Sequence, residues 1–510
     1  MNENNKENEA SPLDKLREAR AAGSDSNRTD AVRKRHSKGF RTARENLADL
    51  CDPGSFTEYG EFAVAAQRQR RDIDDLRVNT TGDGVLTGLA TINADRFSTE
   101  DARTAVIVND YSVLAGTQGF YHHKKIDRLL DLAGREGLPV VMYTEGGGGR
   151  PGDTDVLTQV SGLGVPTFAR WAKLAGEVPR IAVNNGYCFA GNAALFGCAD
   201  IRIATRHSWI GMAGPAMIEA AGLGKFEPQE IGPTEMHLEQ GVVDICAQDE
   251  ADATRIAKVV LGYLQGRHSD FGCGDQESLR GSLPENRRFT YRVRNIIGLV
   301  ADTGSFTEIS REWGAAIITA FIRVEGIPFG LIANDNQVLA GAIDAAAAEK
   351  ASRFLRMCNA HGIAILSLVD TPGFMVGPDS ESQAAVACMS DMFVAGSELT
   401  VPLVAVVLRK AYGLGAMAMT GGGFSEPVCT AVWPTGEFGA MGLEGAVRLG
   451  FRKELEAESD KESHDALFEK LLLDMYEKGS ALEVASVLEI DTVIDPADTR
   501  MVIRSVVAKY

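Results

Sequence analysis

Apolar and polar positions alternate between two periods along the chain. Short, almost uninterrupted apolar runs read as buried strands: GVLTGLATI from Gly84, TAVIVND from Thr104, LPVVMYTE from Leu138 and RIAVNN from Arg180. Between them lie stretches of helical period. In 118–136 the apolar Ile126, Leu129, Leu130 and Leu132 follow helical spacing, and helices are also predicted at 163–174 and 251–264. A further strand falls within ADIRIATRHSWIGM, and the Gly/Pro-rich 222–235 reads as loop. Ahead of the first strand come a short charged helix at 12–22, a break at 23–27 and a helical charge pattern over 29–50, which ends at the turn Cys51-Asp52-Pro53-Gly54. From Trp313 to Met441 the rhythm returns; a helix at 463–478, a short strand at 487–491 and a last helix from Pro496 close the chain. Repeated strand–helix units with Val/Ile-rich strands predict an α/β protein with a sheet in each domain.

The second half is a copy of the first. DPGSFTEY (Asp52–Tyr59) returns as DTGSFTEI (Asp302–Ile309), and NDYSVLAG (Asn109–Gly116) as NDNQVLAG (Asn334–Gly341). LPVVMYTEGGG matches IAILSLVDTPG acid for acid at Glu145 and Asp370, and Trp209–Gly211 with Met212 matches Phe438–Ala440 with Met441. One order and one rough offset indicate an internal duplication. The expected organisation is a disordered tail at 1–28, one domain at 29–265, a linker by composition at 266–284 and a second domain at 285–510.

Each copy carries a small-residue stretch, NNGYCFAGNAA (Asn184–Ala194) and its weaker echo RKAYGLGAMAM (Arg409–Met419). Each follows an apolar run entered through Val-Pro and resumes as a helix. Small residues let a ligand approach the backbone, and the first N–H groups of a helix have no internal partner. Such a turn either is a tight connection and nothing more, or it holds an anion or a developing oxyanion. Glu145 and Asp370 follow buried strands at equivalent places; they fit acid/base groups or loop hydrogen bonding. The basic run Arg33-Lys34-Arg35-His36 reads as a solvated face or a phosphate contact. Gly146–Gly149 matches no nucleotide fingerprint, and GxSxG is absent. Cys188 reads as packed. His122 and His123 are adjacent and HExxH is absent, so no metal site is expected.

Bulk numbers narrow the classes. A net charge of −18 over 510 residues argues against nucleic-acid and anionic-membrane partners. The hydrophobic content of 45% suits real cores, and no apolar run is long enough to span a membrane. The eight cysteines occur without a CxxC pair, which suggests reduced thiols and a cytoplasmic location. The start, MNENNKENEAS, has no signal or transit pattern.

With TARENLADLCDPGSFTEYG, GYCFAGNAA, VDTPGFMVGPDSE, RKAYGLGAMAM and WPTGEFGAMGLEGAV in hand, the chain resembles the carboxyltransferase β-subunits of biotin-dependent acyl-CoA carboxylases over about 41–509. The last three motifs look closest to the fused, single-chain carboxylases. The resemblance implies two duplicated crotonase-like (ClpP/crotonase) domains, the first on the acyl-CoA side and the second on the biotin side. It implies transfer of a carboxyl group from carboxybiotin, carried on a separate protein, to the α-carbon of an acyl-CoA, with the decarboxylated biotin taking the α-proton. By motif match Ala190 and Gly191 would hold the thioester oxygen, and Leu414 and Gly415 the biotin ureido oxygen. Gly147, Gly148, Gly186, Phe189 and Asn192 would line the first site; Gly373, Phe374, Tyr412, Gly413 and Met417 the second. Met417 stands where propionyl-type members carry an acid, which favours a more apolar or adaptable acyl pocket. The family also implies no bound metal, a homo-oligomer (usually a hexamer), and biotin carboxylase and biotin carrier partners, since no Met-Lys-Met biotinylation site occurs. A decarboxylase transferase subunit and a silent scaffold subunit are the alternatives.

Overall fold

The computed structural model describes residues 11–156 and 161–507. It divides into two compact units, Met1–Gln265 and Gly266–Tyr510.

The first unit is built on a seven-stranded sheet. Its strands are β1 (Thr57–Glu58), β2 (Val85–Thr91), β3 (Arg103–Asn109), β4 (Val140–Tyr143), β5 (Arg180–Asn184), β7 (Ile201–Thr205) and β9 (Ile245–Ala247), in that spatial order. The first three pair antiparallel; from β3 onward every pairing is parallel. β6 (Tyr187–Phe189) and β8 (Trp209–Gly211) form a separate parallel pair. Beyond the exposed Arg103 that opens β3, strands β3, β4, β5 and β7 are buried along their length, which is why they read as continuous apolar runs rather than alternating ones. Helix Phe120–Glu136 lays Ile126, Leu129 and Leu130 on the core and stops at Gly137, whose φ of 66° is the left-handed cap. Buried Trp171 donates its indole N–H to the Leu195 carbonyl at 2.7 Å, so the core hides no unmade donor there.

The second unit has the same strand order: β10 (Thr307–Ile309), β11 (Ile317–Val324), β12 (Ile327–Asn334), β13 (Ala364–Thr371), β14 (Leu403–Tyr412), β15 (Cys429–Val432) and β17 (Thr492–Val493). Two antiparallel pairings again precede the parallel ones. β16 (Glu437–Gly439) pairs with the end of β14 itself. The repeated AG turns match in detail. Leu114 and Ala115 have φ of 48° and 56°, Leu339 and Ala340 49° and 54°. Gly116 and Gly341 press on the carbonyls of Glu145 and Asp370, where an added Cβ would come within 2.6 and 2.5 Å.

Several expectations are corrected. Residues 1–10 of the expected tail lie outside the described residues. Residues 11–28 are folded: Ser11 caps helix Pro12–Ala22, and Arg20 and Arg28 pair with Glu61 and Asp110. The linker 266–284 belongs to the second unit. Its His268 N–H donates to Gly326, Gly266 accepts from Arg323, and Leu279 is buried on a 3-10 turn. The pattern at 29–50 is two helices, Thr29–His36 and Ala43–Leu50, because Gly39 turns at φ 78° and a Thr42/Glu45 capping box starts the second. In place of a strand at 487–491 there is helix Ala481–Ser486, with Val487 and Leu488 exposed, and the strand comes later as β17. Helix Thr167–Lys173 starts later than expected, and 222–235 includes the 3-10 turn Pro228–Glu230.

Candidate active site

In the first unit β4 runs out into Glu145–Gly149, and β5 breaks at Gly186, φ 110°. Only glycine fits position 186: a Cβ would lie 2.4 Å from Glu145 Oε1. β6 then leads to Ala190, which holds φ 53°, ψ −119°, and helix Gly191–Gly197 begins. That backbone is strained for any residue with a Cβ. Gly146 bridges Cys188, so the glycine loop lies along the turn, and Gly148 packs on Ala190. Three of the main-chain donors here are already used. Ala190 donates to Gly211 O at 2.9 Å, Gly147 to Ala115 O at 3.0 Å and Gly148 to Asn192 Oδ1 at 3.0 Å. The expectation that Ala190 donates to a ligand oxygen is therefore corrected. Gly149 and Gly191 are left with N–H groups that have no acceptor among the described residues.

In the second unit β14 runs on to Tyr412 with a shift of register opposite Val369–Thr371, Gly413 turns at φ 58°, and helix Gly413–Met419 follows. Thr371 faces Ala411 as Gly146 faces Cys188, and Tyr412 faces Gly439 as Phe189 faces Gly211. Position by position, Gly413 therefore corresponds to Ala190, Leu414 to Gly191 and Gly415 to Asn192. The sequence echo had placed the two stretches two residues out of this register, drawn by the tyrosines Tyr187 and Tyr412. The ladders decide otherwise. Ile343 N–H donates to Gly373 O at 3.0 Å and Met375 N–H to Ile343 O at 2.8 Å, as Gln118 and Arg150 do in the first unit. Phe374 is thus the counterpart of Gly149, and its N–H and that of Leu414 have no acceptor among the described residues. Gly415 has a packing reason: a Cβ there would stand 2.6 Å from the Gly373 carbonyl carbon. Asn192 occupies the corresponding place with a side chain that reaches Gly148.

Gly149 is absent from the sequence-derived residues although Phe374 is among them. The acid-for-acid match of Glu145 with Asp370 already sets the two opposite each other. Phe189 is buried and stacks on Tyr187 at 5.9 Å, Met417 is half-buried and Leu414 exposed. Tyr412 donates its hydroxyl to Glu437 Oε2 at 2.8 Å.

Both acids are bound. Arg35 clamps Glu145 with bonds of 2.9 and 2.8 Å and lies over the Phe40 ring. Burial pushes the Glu145 carboxyl up to about 7, with Arg35 pulling the other way. Arg409 holds Asp370 at 3.0 Å, and Lys410 N–H adds a bond of 3.0 Å. Loop hydrogen bonding is the reading the geometry supports. The basic run divides: Arg33 and Lys34 face solvent, whereas Arg35 is buried and committed. Cys188 is fully buried in the core, as a packing residue, and burial pushes its thiol up to about 12. No group of side chains suited to a metal occurs among the described residues, and no described helix is long and apolar enough to cross a membrane.

Comparison with known proteins decides the family. The carboxyl transferase domain matches residues 34–508. The chain belongs to the carboxyl transferase family. Carboxyltransferases of this family move a carboxyl group between biotin and an acyl-CoA. The chain is 32% identical to the methylmalonyl-CoA carboxyltransferase 12S subunit of Propionibacterium freudenreichii subsp. shermanii, over 94% of this chain and 90% of that one. It is 30% identical to the methylmalonyl-CoA decarboxylase subunit alpha of Veillonella parvula, over 96% and 92%. Among solved structures it superposes on a single-chain, multi-domain long-chain acyl-CoA carboxylase with TM-score 0.92 and 51% identity, covering 98% of this chain and 49% of that one. The transcarboxylase 12S hexamer follows at TM-score 0.85 and 31% identity, covering 99% and 97%. The chain spans about half the length of the single-chain carboxylase and nearly all of the 12S subunit.

Proposed function

We propose that this carboxyltransferase works as the transferase part of an acyl-CoA carboxylase, taking the carboxyl group from carboxybiotin on a separate carrier and placing it on the α-carbon of an acyl-CoA. The observation that carries the reading is the pair of turns, each with main-chain N–H groups free at matching places, among them Gly149 and Gly191 in the first and Phe374 and Leu414 in the second. Carboxyl transfer generates negative charge on two carbonyl oxygens, the thioester's and the ureido's, and fixed N–H donors stabilise such charge. In this reading the first turn holds the thioester oxygen while the α-proton leaves for the decarboxylated biotin. The second holds the ureido oxygen while the carboxyl group departs. Each unit is a crotonase-like domain, and the assembly is a hexamer, as in the 12S relative. A biotin carboxylase and a biotin carrier supply the carboxyl group, no metal takes part, and the reduced cysteines suit the cytoplasm.

The 51% identity to the long-chain carboxylase, against 30–32% to methylmalonyl- and propionyl-CoA relatives, favours long acyl chains. Relatives that are decarboxylase subunits support a second reading, the same chemistry run toward carboxybiotin. A scaffold has no use for two intact pairs of free donors. The test is mass spectrometry of carboxylated products from acetyl-, propionyl-, butyryl- and hexadecanoyl-CoA, with a biotin carboxylase and carrier supplied. Carboxylation of none of them, with the carrier fully carboxylated, overturns the reading.

A further inference from the structure

Gln118 sits just before helix Phe120–Glu136. Its main chain is bonded into the glycine loop, donating to Gly148 O at 2.8 Å and accepting from Arg150 N–H at 2.9 Å, beside Gly149. Its side chain crosses to the first turn. A Cβ on Gly191 would lie 2.2 Å from Gln118 Oε1 and 3.1 Å from Phe168 Cζ, so glycine at 191 is what leaves room for the carboxamide. The residue is 4% exposed, and its Nε2 has no partner among the described residues. A dry amide N–H without an acceptor is a penalty that native cores avoid. In the second unit the corresponding residue is Ile343, bridged to Phe374 in the same way and carrying no side-chain donor. The unsatisfied amide is thus a property of the first turn alone.

Resting on the acyl-CoA reading of that turn, we propose that Gln118 is a substrate-binding residue whose carboxamide N–H grips the carbonyl oxygen of the acyl thioester beside Gly191. A half-turn about the terminal torsion exchanges Oε1 and Nε2 without moving the rest of the side chain. It places the N–H beside Gly191 and leaves in the dry position a carbonyl oxygen, which tolerates the lack of a partner better. A thioester oxygen arriving there supplies the missing acceptor. The second turn, with Ile343, offers its ligand main-chain donors only.

The experiment compares thioesters with S-alkyl thioethers, which keep the CoA and the chain and lack the carbonyl. The full chain is titrated calorimetrically with butyryl-CoA, hexadecanoyl-CoA and their thioethers, in the wild type, Gln118→Leu and Gln118→Glu. The wild type should favour the thioester, and both variants should lose about three- to tenfold of that preference, the worth of one neutral hydrogen bond, with thioether affinity held in Gln118→Leu. A wild type that does not discriminate, or a fall that is equal for thioester and thioether, overturns the role of Gln118 and leaves the carboxyltransferase reading standing. Failure of the wild type to bind either thioester, with acetyl- and propionyl-CoA failing as well, overturns both. A wild type that does not discriminate refutes the proposal even where one variant fails to fold, and the second variant then reads the share of Gln118 apart from that of the main-chain donors.

Discussion

The two units repeat one strand order, yet they stabilise the same buried carboxylate by different means. In the second unit the cation comes from the sheet itself: Arg409, on β14, holds Asp370 and also donates to the carbonyls of Arg287 and Phe289. In the first unit the corresponding position is Gly186, which has no side chain and bends the strand, and the cation comes from helix Thr29–His36 as Arg35. The turn residues diverge likewise. Gly413 adopts its positive φ freely, whereas Ala190 holds a similar φ under strain; Gly415 admits Gly373, whereas Asn192 reaches Gly148 N–H. A duplicated frame therefore fixes where main-chain donors point and leaves the supporting residues free to change.

Removing the cations should have the largest effect. Arg35→Met and Arg409→Met each leave a buried carboxylate without its cation, a loss of about 3–5 kcal/mol. Arg409→Met should be the worse, because two carbonyl contacts go with it, against the one that Arg35 makes to Arg41 O; chemical denaturation monitored separately for each unit reads this. If Arg35→Met costs nothing, Glu145 does not depend on the pair.

The main-chain donors come next. Proline deletes an N–H and is tolerated in the first turn of a helix. Gly191→Pro should cost on the order of 10²–10³ in acyl-CoA carboxylation, with carboxybiotin decarboxylation still measurable, whereas Leu414→Pro should cost both. Gly191→Ala, which keeps the N–H but meets Gln118, reports the steric share. Equal losses of both reactions in the two proline variants would show that the turns are not specialised. The acids should matter far less to rate. Glu145→Gln and Asp370→Asn are expected to lower turnover less than tenfold, whereas a general base contributes about 10²–10⁴; a larger fall in a folded variant makes that acid catalytic.

Smaller effects test the strain. Ala190→Gly should stabilise the first unit by about 1 kcal/mol, and Gly413→Ala, whose Cβ would lie 2.9 Å from Ala440 O, should destabilise the second by at least as much. The gentlest test is pH. Lys125 and Lys350 are buried at matching places and donate to main-chain carbonyls, Lys125 to Gly82 and Val85, Lys350 to Ser310. Burial lowers both amines to about 8. Between about 8 and the ordinary lysine value near 10.4 the unfolded chain binds protons that the folded chain does not, so each lysine makes stability rise with pH through that window. Lys125→Met or Lys350→Met should flatten the rise of Tm between pH 8 and 10; an unchanged slope contradicts the burial argument.

The α/β class, the repeat and the places of the two turns are legible in the amino-acid sequence. Buried parallel strands read as apolar runs, and small residues after them mark where backbone must come close, so these features are local. It also put Glu145 opposite Asp370, because an acid after a buried strand survives in both copies. The tertiary structure alone decided the rest. Which N–H groups are free depends on partners far along the chain: Gly211 takes Ala190, Ala115 takes Gly147 and Asn192 takes Gly148. The register between the turns came from the strand ladders, since a Tyr-to-Tyr match carries no information about which residue faces which strand. Arg35 was indistinguishable from its solvated neighbours in a run of basic residues; its burial follows from Gly186, 151 positions away. A hydrogen bond is satisfied in space, and the chain order does not say which acceptor will arrive.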